Sequence, residues 1–169
     1  MNKNVRFLTH AAIIAALYAV LTHLQNLLLP NSTNMAIQFR ASEALCVFAL
    51  FSPAAIPGLT IGCLIANLLA GATALDFVIG SLASCLAAIA MWLSRRLTVK
   101  GYPLFALLMP AVFNGILIGW ELVTFAGVPG GFWLNAAYVA IGEAAVLLTL
   151  GTALYYAIKS RRLDVRLFG

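Results

Sequence analysis

Between Phe7 and Ser94 the chain carries only three formally charged side chains, Arg40, Glu43 and Asp76. A water-soluble domain covers its exterior with charged and polar groups, and with 9% charged residues against 63% hydrophobic ones in 169 residues this chain has too few to do so. Lipid is therefore the solvent that the sequence anticipates. At a rise of about 1.5 Å per residue, roughly 20 apolar residues cross a hydrocarbon layer about 30 Å thick.

Six apolar runs approach that length, at about 7–29, 35–51, 56–70, 77–93, 103–125 and 132–158. They are separated by the breakers "LPNST", "SPAAIPG", "GATALD", "SRRLTVKGYP" and "AGVPGG", which hold the proline, glycine and hydroxyl residues that end helices. The expected architecture is an all-α membrane protein of six transmembrane helices. No linker, repeat or low-complexity tract divides it, so residues 1–169 read as a single integral membrane domain.

Short loops rich in Lys and Arg stay on the cytoplasmic side. Six crossings with both termini cytoplasmic gather Lys3, Arg6, Arg95, Arg96, Lys100, Lys159, Arg161, Arg162 and Arg166 there, which leaves Arg40 alone on the outer side. The net charge of +5 then reports topology and anionic lipid, not a nucleic-acid partner. Lys3 and Arg6 before an apolar stretch could pass for a signal peptide, but that stretch continues to Leu29 without a small-x-small site, and it reads as a membrane helix. Cys46, Cys63 and Cys85 all lie in apolar runs, lack metal-ligand spacing and read as packing residues.

Helices in lipid associate through close contact of small side chains. Gly58, Gly62, Ala66 and Ala70 form one four-residue strip, and Gly80, Ser84 and Ala88 another; both read as packing within the bundle. Ala11, Ala15 and Ala19, with Ala12 and Ala16 beside them, form a third strip that suits either packing or the docking of another membrane protein.

Ionisable groups within a bilayer cost about 2.5–3.5 kcal/mol each on insertion scales, so they face partners or water-filled cavities. Glu143 falls about 16 Å below Phe132, near mid-membrane, and Asn114 at a similar depth. Gln38, Arg40, Glu43, Asn67, Asp76, Trp120, Glu121, Trp133 and Asn135 fall in the outer half. Together they suggest a cup that opens outward. Each has a plainer reading too: Arg40 and Glu43 as an i, i+3 ion pair, the tryptophans as interfacial anchors, the asparagines as interhelical hydrogen bonds.

"IQFRASEAL", "GLTIGCLIANLL", "LDFVIGSLAS" and "VFNGILIGWEL" occur in that order, and over about Thr9–Ile158 the chain resembles the QueT family of queuosine-precursor substrate-binding (S) components of energy-coupling-factor (ECF) transporters. The resemblance implies a six-helix membrane protein that captures a scarce 7-deazaguanine base outside the cell. It would work with a transmembrane coupling protein and two cytoplasmic ATPases. It also implies that the Ala11, Ala15, Ala19 strip meets the coupling protein. Arg40 and Glu43 match the family's Arg and Glu and would help form or close the binding site. Glu143 and Glu121 are then the candidate carboxylates for the base edge, Asp76 or Glu43 for a ligand ammonium, Asn67, Asn114 and Asn135 for amide contacts, and Phe39, Trp120 and Trp133 for ring stacking, with Gln38 beside them.

The chain has no G-x-x-x-x-G-K-[ST] loop, so ATP hydrolysis would belong to a partner, and no cofactor is called for. With no H-E-x-x-H, no G-x-S-x-G and only two distant histidines, His10 and His23, it does not read as an enzyme or as a metal protein. Two alternatives stay open: an S component for another vitamin or nucleobase, and a stand-alone proton-coupled carrier using Glu143.

Overall fold

The computed structural model describes residues 2–30 and 39–168. Among them the secondary structure is helical throughout, apart from an isolated bridge pairing Val99 with Tyr102. In chain order come α1 (Lys3–Leu28), a 3₁₀ helix (Ala41–Leu50), α2 (Ala55–Leu69), α3 (Ala74–Ser94), α4 (Leu104–Leu107), α5 (Met109–Thr124) and α6 (Gly131–Val146). A π turn (Leu147–Gly151) joins α6 to α7 (Thr152–Ser160), and α8 (Leu163–Phe168) follows. Four helical stretches are long and apolar enough to cross a bilayer: Lys3–Leu28, Ala74–Ser94, Leu104–Thr124 and Gly131–Ser160.

Of the other two apolar runs, the second is a shorter helix than the expected 35–51, while the third keeps the length expected for 56–70. The 3₁₀ helix rises about 20 Å, at about 2.0 Å per residue, and α2 about 22 Å, both less than the hydrocarbon thickness. A 3₁₀ helix of ten residues is unusual, because its hydrogen bonds are poorly aligned. Here almost every residue from Ser42 to Leu50 is buried by the surrounding helices. Backbone that departs from the α-helix is tolerated at membrane depth where protein, not lipid, surrounds it.

Proline explains the division of the fifth run. Pro110 has no N–H and its ring opposes the carbonyl of Ala106, so the helix is interrupted at Leu108 and restarts with Pro110 in its first turn. Gly130 (φ 106°) and Gly131 (φ 74°) take left-handed backbone in "VPGG", which reverses the chain into α6.

Small residues set the helix spacing. A Cβ on Gly58 would lie 2.8 Å from the Ala11 carbonyl oxygen, and one on Gly62 would lie 2.8 Å from the Tyr18 Cβ and 3.0 Å from the Ala15 oxygen. The α2 glycine strip therefore meets the Ala11, Ala15, Ala19 strip of α1, and all three alanines are buried. This corrects the expectation that those three alanines form a docking face: α2 already covers them. The outward small-residue face of α1 is Ala12 and Ala16, one position along the helix, both exposed. Between α5 and α6 the approach is closer still, since a Cβ on Gly119 would stand 2.6 Å from the Cα of Ala136.

At the end of the bundle that holds the basic loop, aromatic side chains tie the segments together. Tyr102 stacks on Tyr156 (ring centroids 6.0 Å apart), meets Tyr155 edge-on at 5.9 Å and hydrogen-bonds the Thr152 hydroxyl; Tyr155 also stacks on Phe51 at 5.8 Å. Arg95 lies 3.4 Å above the Trp92 ring, and Lys159 pairs with Asp164 at 3.0 Å.

Because backbone opposes Gly119, its neighbour cannot rotate out of the way. Gly119→Val is expected to destabilise the bundle by about 1–3 kcal/mol or more, read as a lowered thermal midpoint of the purified protein in detergent. Ile116→Val, at an exposed position on the same helix, should leave the midpoint nearly unchanged.

Candidate functional site

The site starts on α1, whose buried face carries Tyr18, Thr22 and Gln25 at helical spacing. The Tyr18 hydroxyl donates to Glu43 Oε1, and Thr22 Oγ1 lies 2.7 Å from Ser42 Oγ. Gln25 Nε2 donates to the Phe39 carbonyl while Gln25 Oε1 accepts from the Ala41 N–H at 2.8 Å. One amide thus holds the backbone on both sides of Arg40. This ladder presents Arg40 and Glu43 in fixed directions.

Arg40 and Glu43 do not pair with each other: among the described residues the ion pair is Lys159–Asp164. Arg40 precedes the 3₁₀ helix with extended backbone (φ −106°, ψ 107°), so its side chain leaves toward α2, with Nη1 3.9 Å from Cys63 Sγ. Glu43, one turn into the helix, faces α1, and its Oε2 accepts from Cys46 Sγ at 3.1 Å. The plain i, i+3 reading of the two therefore does not hold.

Arg40 instead opens onto a cavity of about 330 Å³, at the small end of the range for ligand sites. Asn67, the α2–α3 turn from Ala70 to Thr73, Asp76, Gly80, Ile118, Glu121, Leu122 and Ala126 complete its lining. A Cβ on Gly80 would lie 2.9 Å from Asn67 Nδ2, which bonds the Asp76 carbonyl at 3.4 Å, and would push that amide aside. The cavity sits where α3 begins and α5 ends, about 30 Å along α3 from the Arg95 loop. Asp76 is also a helix cap. Its Oδ2 accepts from the Thr73 N–H at 2.7 Å while Thr73 Oγ1 accepts from the Asp76 N–H at 3.3 Å, a complete capping box.

Two atoms facing this region lack a hydrogen-bond partner. Arg40 Nε and Glu121 Oε1 are buried with no hydrogen bond, although Glu121 is only 4% exposed. Below the cavity lies a second polar group of Glu43, Asn114 and Glu143, all buried. Asn114 Nδ2 donates to Glu143 Oε1 at 3.0 Å, and Glu143 Oε2 is buried without a partner. Leaving a buried polar atom unpaired costs about 1–3 kcal/mol, so a fold that does so three times in one region is arranged for something other than stability.

The remaining candidates lie elsewhere. Trp133 is 83% exposed against Phe132, and Trp120 packs edge-on with Phe125, both outside the cavity lining. The Phe39 side chain is exposed. Asn135 bonds the carbonyls of Pro129 and Gly131, so it holds its own loop. Gln38 lies outside the described residues. Among the described residues the lining contains no aromatic ring, and Ile118 and Leu122 supply its apolar walls. No group of three or more His, Cys, Asp or Glu suited to a metal occurs among the described residues, and the three cysteines are free thiols.

A family model described as QueT transporter matches residues 8–160, a span that holds the ladder, the cavity and the deeper carboxylates. The chain belongs to the QueT transporter family. It is a membrane transport protein by that membership and by its four long apolar helices. No curated protein and no solved structure matches the chain.

Sequence reasoning passed over several residues that hold the candidate site of this QueT-family chain in place. Tyr18, Thr22 and Gln25 are spaced four and three apart on one face, a polar stripe visible in the sequence. Thr73 begins "TALD", the pattern that announces a capping box. Removing the Tyr18 hydroxyl leaves Glu43 Oε1 without its donor inside the protein. Tyr18→Phe is therefore expected to cost about 1–3 kcal/mol, seen as a lower thermal midpoint with the protein still inserted in the membrane.

Proposed function

We propose that this QueT-family protein is the substrate-binding subunit of an ECF-type uptake system in the cell membrane, capturing a 7-deazaguanine queuosine precursor from outside. In this reading the chain is one integral membrane domain that crosses the bilayer six times, with both termini cytoplasmic. The short 3₁₀ helix and α2 serve as crossings inside the protein, where full hydrocarbon length is not needed. Nine of the ten basic residues then fall on the cytoplasmic side.

The observation that carries the reading is one cavity, away from the basic loops, lined by an arginine and a glutamate that both have unpaired buried atoms. A solute that fills it must offer a donor to Glu121 and an acceptor to Arg40. The edge of a guanine-like base offers both, through its ring N–H and exocyclic amine on one side and its carbonyl on the other. Ile118 and Leu122 provide apolar contact for the ring. Asp76 lies beside Glu121, ready for an aminomethyl ammonium.

Calorimetry of the purified protein against guanine, queuine, 7-cyano-7-deazaguanine and 7-aminomethyl-7-deazaguanine tests this. Tight binding of a 7-deazaguanine is expected, and Glu121→Gln and Arg40→Gln should each weaken it about 10- to 100-fold, as loss of a hydrogen bond to a charged group does. Tight binding of an unrelated vitamin, with none of the bases, would overturn the substrate assignment.

Energy for uptake would come from a transmembrane coupling protein and two cytoplasmic ATPases. The exposed Ala12 and Ala16 face of α1 lets a partner helix approach closely. Ala16→Trp is expected to reduce copurification of the coupling protein while base binding persists. Equal copurification would place the docking face elsewhere.

A further inference from the structure

The end of the bundle opposite the cavity carries charge that the site does not use. Lys159 there is paired with Asp164, and Arg95 lies over the Trp92 ring and donates to the Trp92 carbonyl. Arg96, Lys100, Arg161 and Arg162 are exposed, and among the described residues their side chains have no hydrogen bond or ion pair. These four sit on two segments that are fastened together. Val99 and Tyr102 exchange both backbone hydrogen bonds, at 2.9 and 3.0 Å, so residues 99–102 form a closed turn with Lys100 at its tip. Tyr102 then fixes that turn to α7, stacking on Tyr156, meeting Tyr155 edge-on and bonding the Thr152 hydroxyl. Arg161 and Arg162 follow little more than one helical turn beyond Tyr156. The four cations are thus a fixed array, not the ends of loose tails.

Backbone conformation singles out two of them. Lys100 and Arg162 each have a φ of 50°, and among the described residues they are the two non-glycine positions in the left-handed region. Lys100 precedes Gly101 (φ 82°) in a turn with positive φ at both central residues, a form for which Asn-Gly is the favoured pair. Arg162 stands just past the cap of α7, where helices commonly place glycine. At both places a basic side chain is kept against the preference of the backbone, and strain of that kind is retained where the side chain has a task. Leu93, Leu97 and Phe105, which flank the basic loop in the chain, are exposed as well.

We propose that this clamped array is a seat for the phosphate headgroup of an anionic phospholipid. The exposed leucines and Phe105 meet acyl chains at the edge of the hydrocarbon, while the ammonium and guanidinium groups stand at phosphate depth, where a negatively charged leaflet attracts them. A zwitterionic headgroup carries its own positive charge and gains little there. The seat is about 30 Å along α3 from the cavity, and it does not depend on what the cavity holds.

The test uses the full chain in a neutral detergent, doped with phosphatidylglycerol or with phosphatidylcholine of the same acyl chains, and reads bound lipid by native mass spectrometry together with the thermal midpoint. Phosphatidylglycerol is expected to stay bound and raise the midpoint, and phosphatidylcholine to do neither. Lys100→Gly and Arg162→Gly should each cut phosphatidylglycerol retention about fivefold, the worth of one basic group at an anionic surface. Both should also raise the midpoint of the lipid-free protein, because glycine takes left-handed backbone without strain. A role in folding alone would not lower retention in variants that are more stable. Lys3→Gln removes the same charge from the start of α1 and should leave retention unchanged. If a variant fails to fold, the comparison of the two lipids on the unaltered protein decides the matter. Equal retention of the two lipids, displacement of phosphatidylglycerol by inorganic phosphate, an equal loss in Lys3→Gln, or retention that survives in both glycine variants overturns the seat. Loss of a copurifying coupling protein from the glycine variants, with lipid retention unchanged, assigns the array to a protein partner and overturns it too.

Discussion

The hydrogen-bond ladder from α1 to the Phe39–Glu43 segment is the interaction on which the site depends. Tyr18, Thr22 and Gln25 hold Glu43, Ser42 and the backbone either side of Arg40. Once those positions are set, Arg40 and Glu43 point to different places. The arginine serves the cavity, and the glutamate joins the deeper polar group. A sequence-adjacent pair that could have neutralised itself is thereby kept apart. Arg40 Nε is left buried without a partner.

The bilayer and the packing act together on the rest. Lipid demands that backbone polar groups be satisfied internally, which is why helix dominates. The demand relaxes where helices enclose other helices, and there the chain uses a ten-residue 3₁₀ helix. Glycine lets the enclosing helices approach closely, at Gly58 and Gly62 against α1 and at Gly119 against α6. Gly80 does something different. It leaves room for the Asn67 side chain, and so shapes the cavity itself.

Much of the site was legible as a set of residue types, and less of it as geometry. An apolar chain that keeps Arg40, Asn67, Asp76, Glu121 and Glu143 must give each a polar neighbour, and hydropathy alone singles them out. Depth counting grouped them but could not separate the cavity from the layer below it, because one turn of helix decides between them. Trp120 and Trp133 show the same limit. Their depth suited stacking on a ligand, but their helix faces direct them outward. For the α1 alanines the ambiguity was a single position: Ala11, Ala15 and Ala19 face α2, while Ala12 and Ala16 face out.

The sequence by itself determined the solvent, the helical class, the location of the breakers and the identity of the polar residues that had to be accommodated. These follow from composition and local pattern, since lipid admits few alternatives for an apolar backbone. Only the tertiary structure decided which polar groups meet: Tyr18 with Glu43, Asn114 with Glu143, and Arg40, Asp76 and Glu121 around one cavity. Such pairings depend on the rotation and spacing of helices distant in sequence, and a few tenths of an ångström at glycine contacts set both.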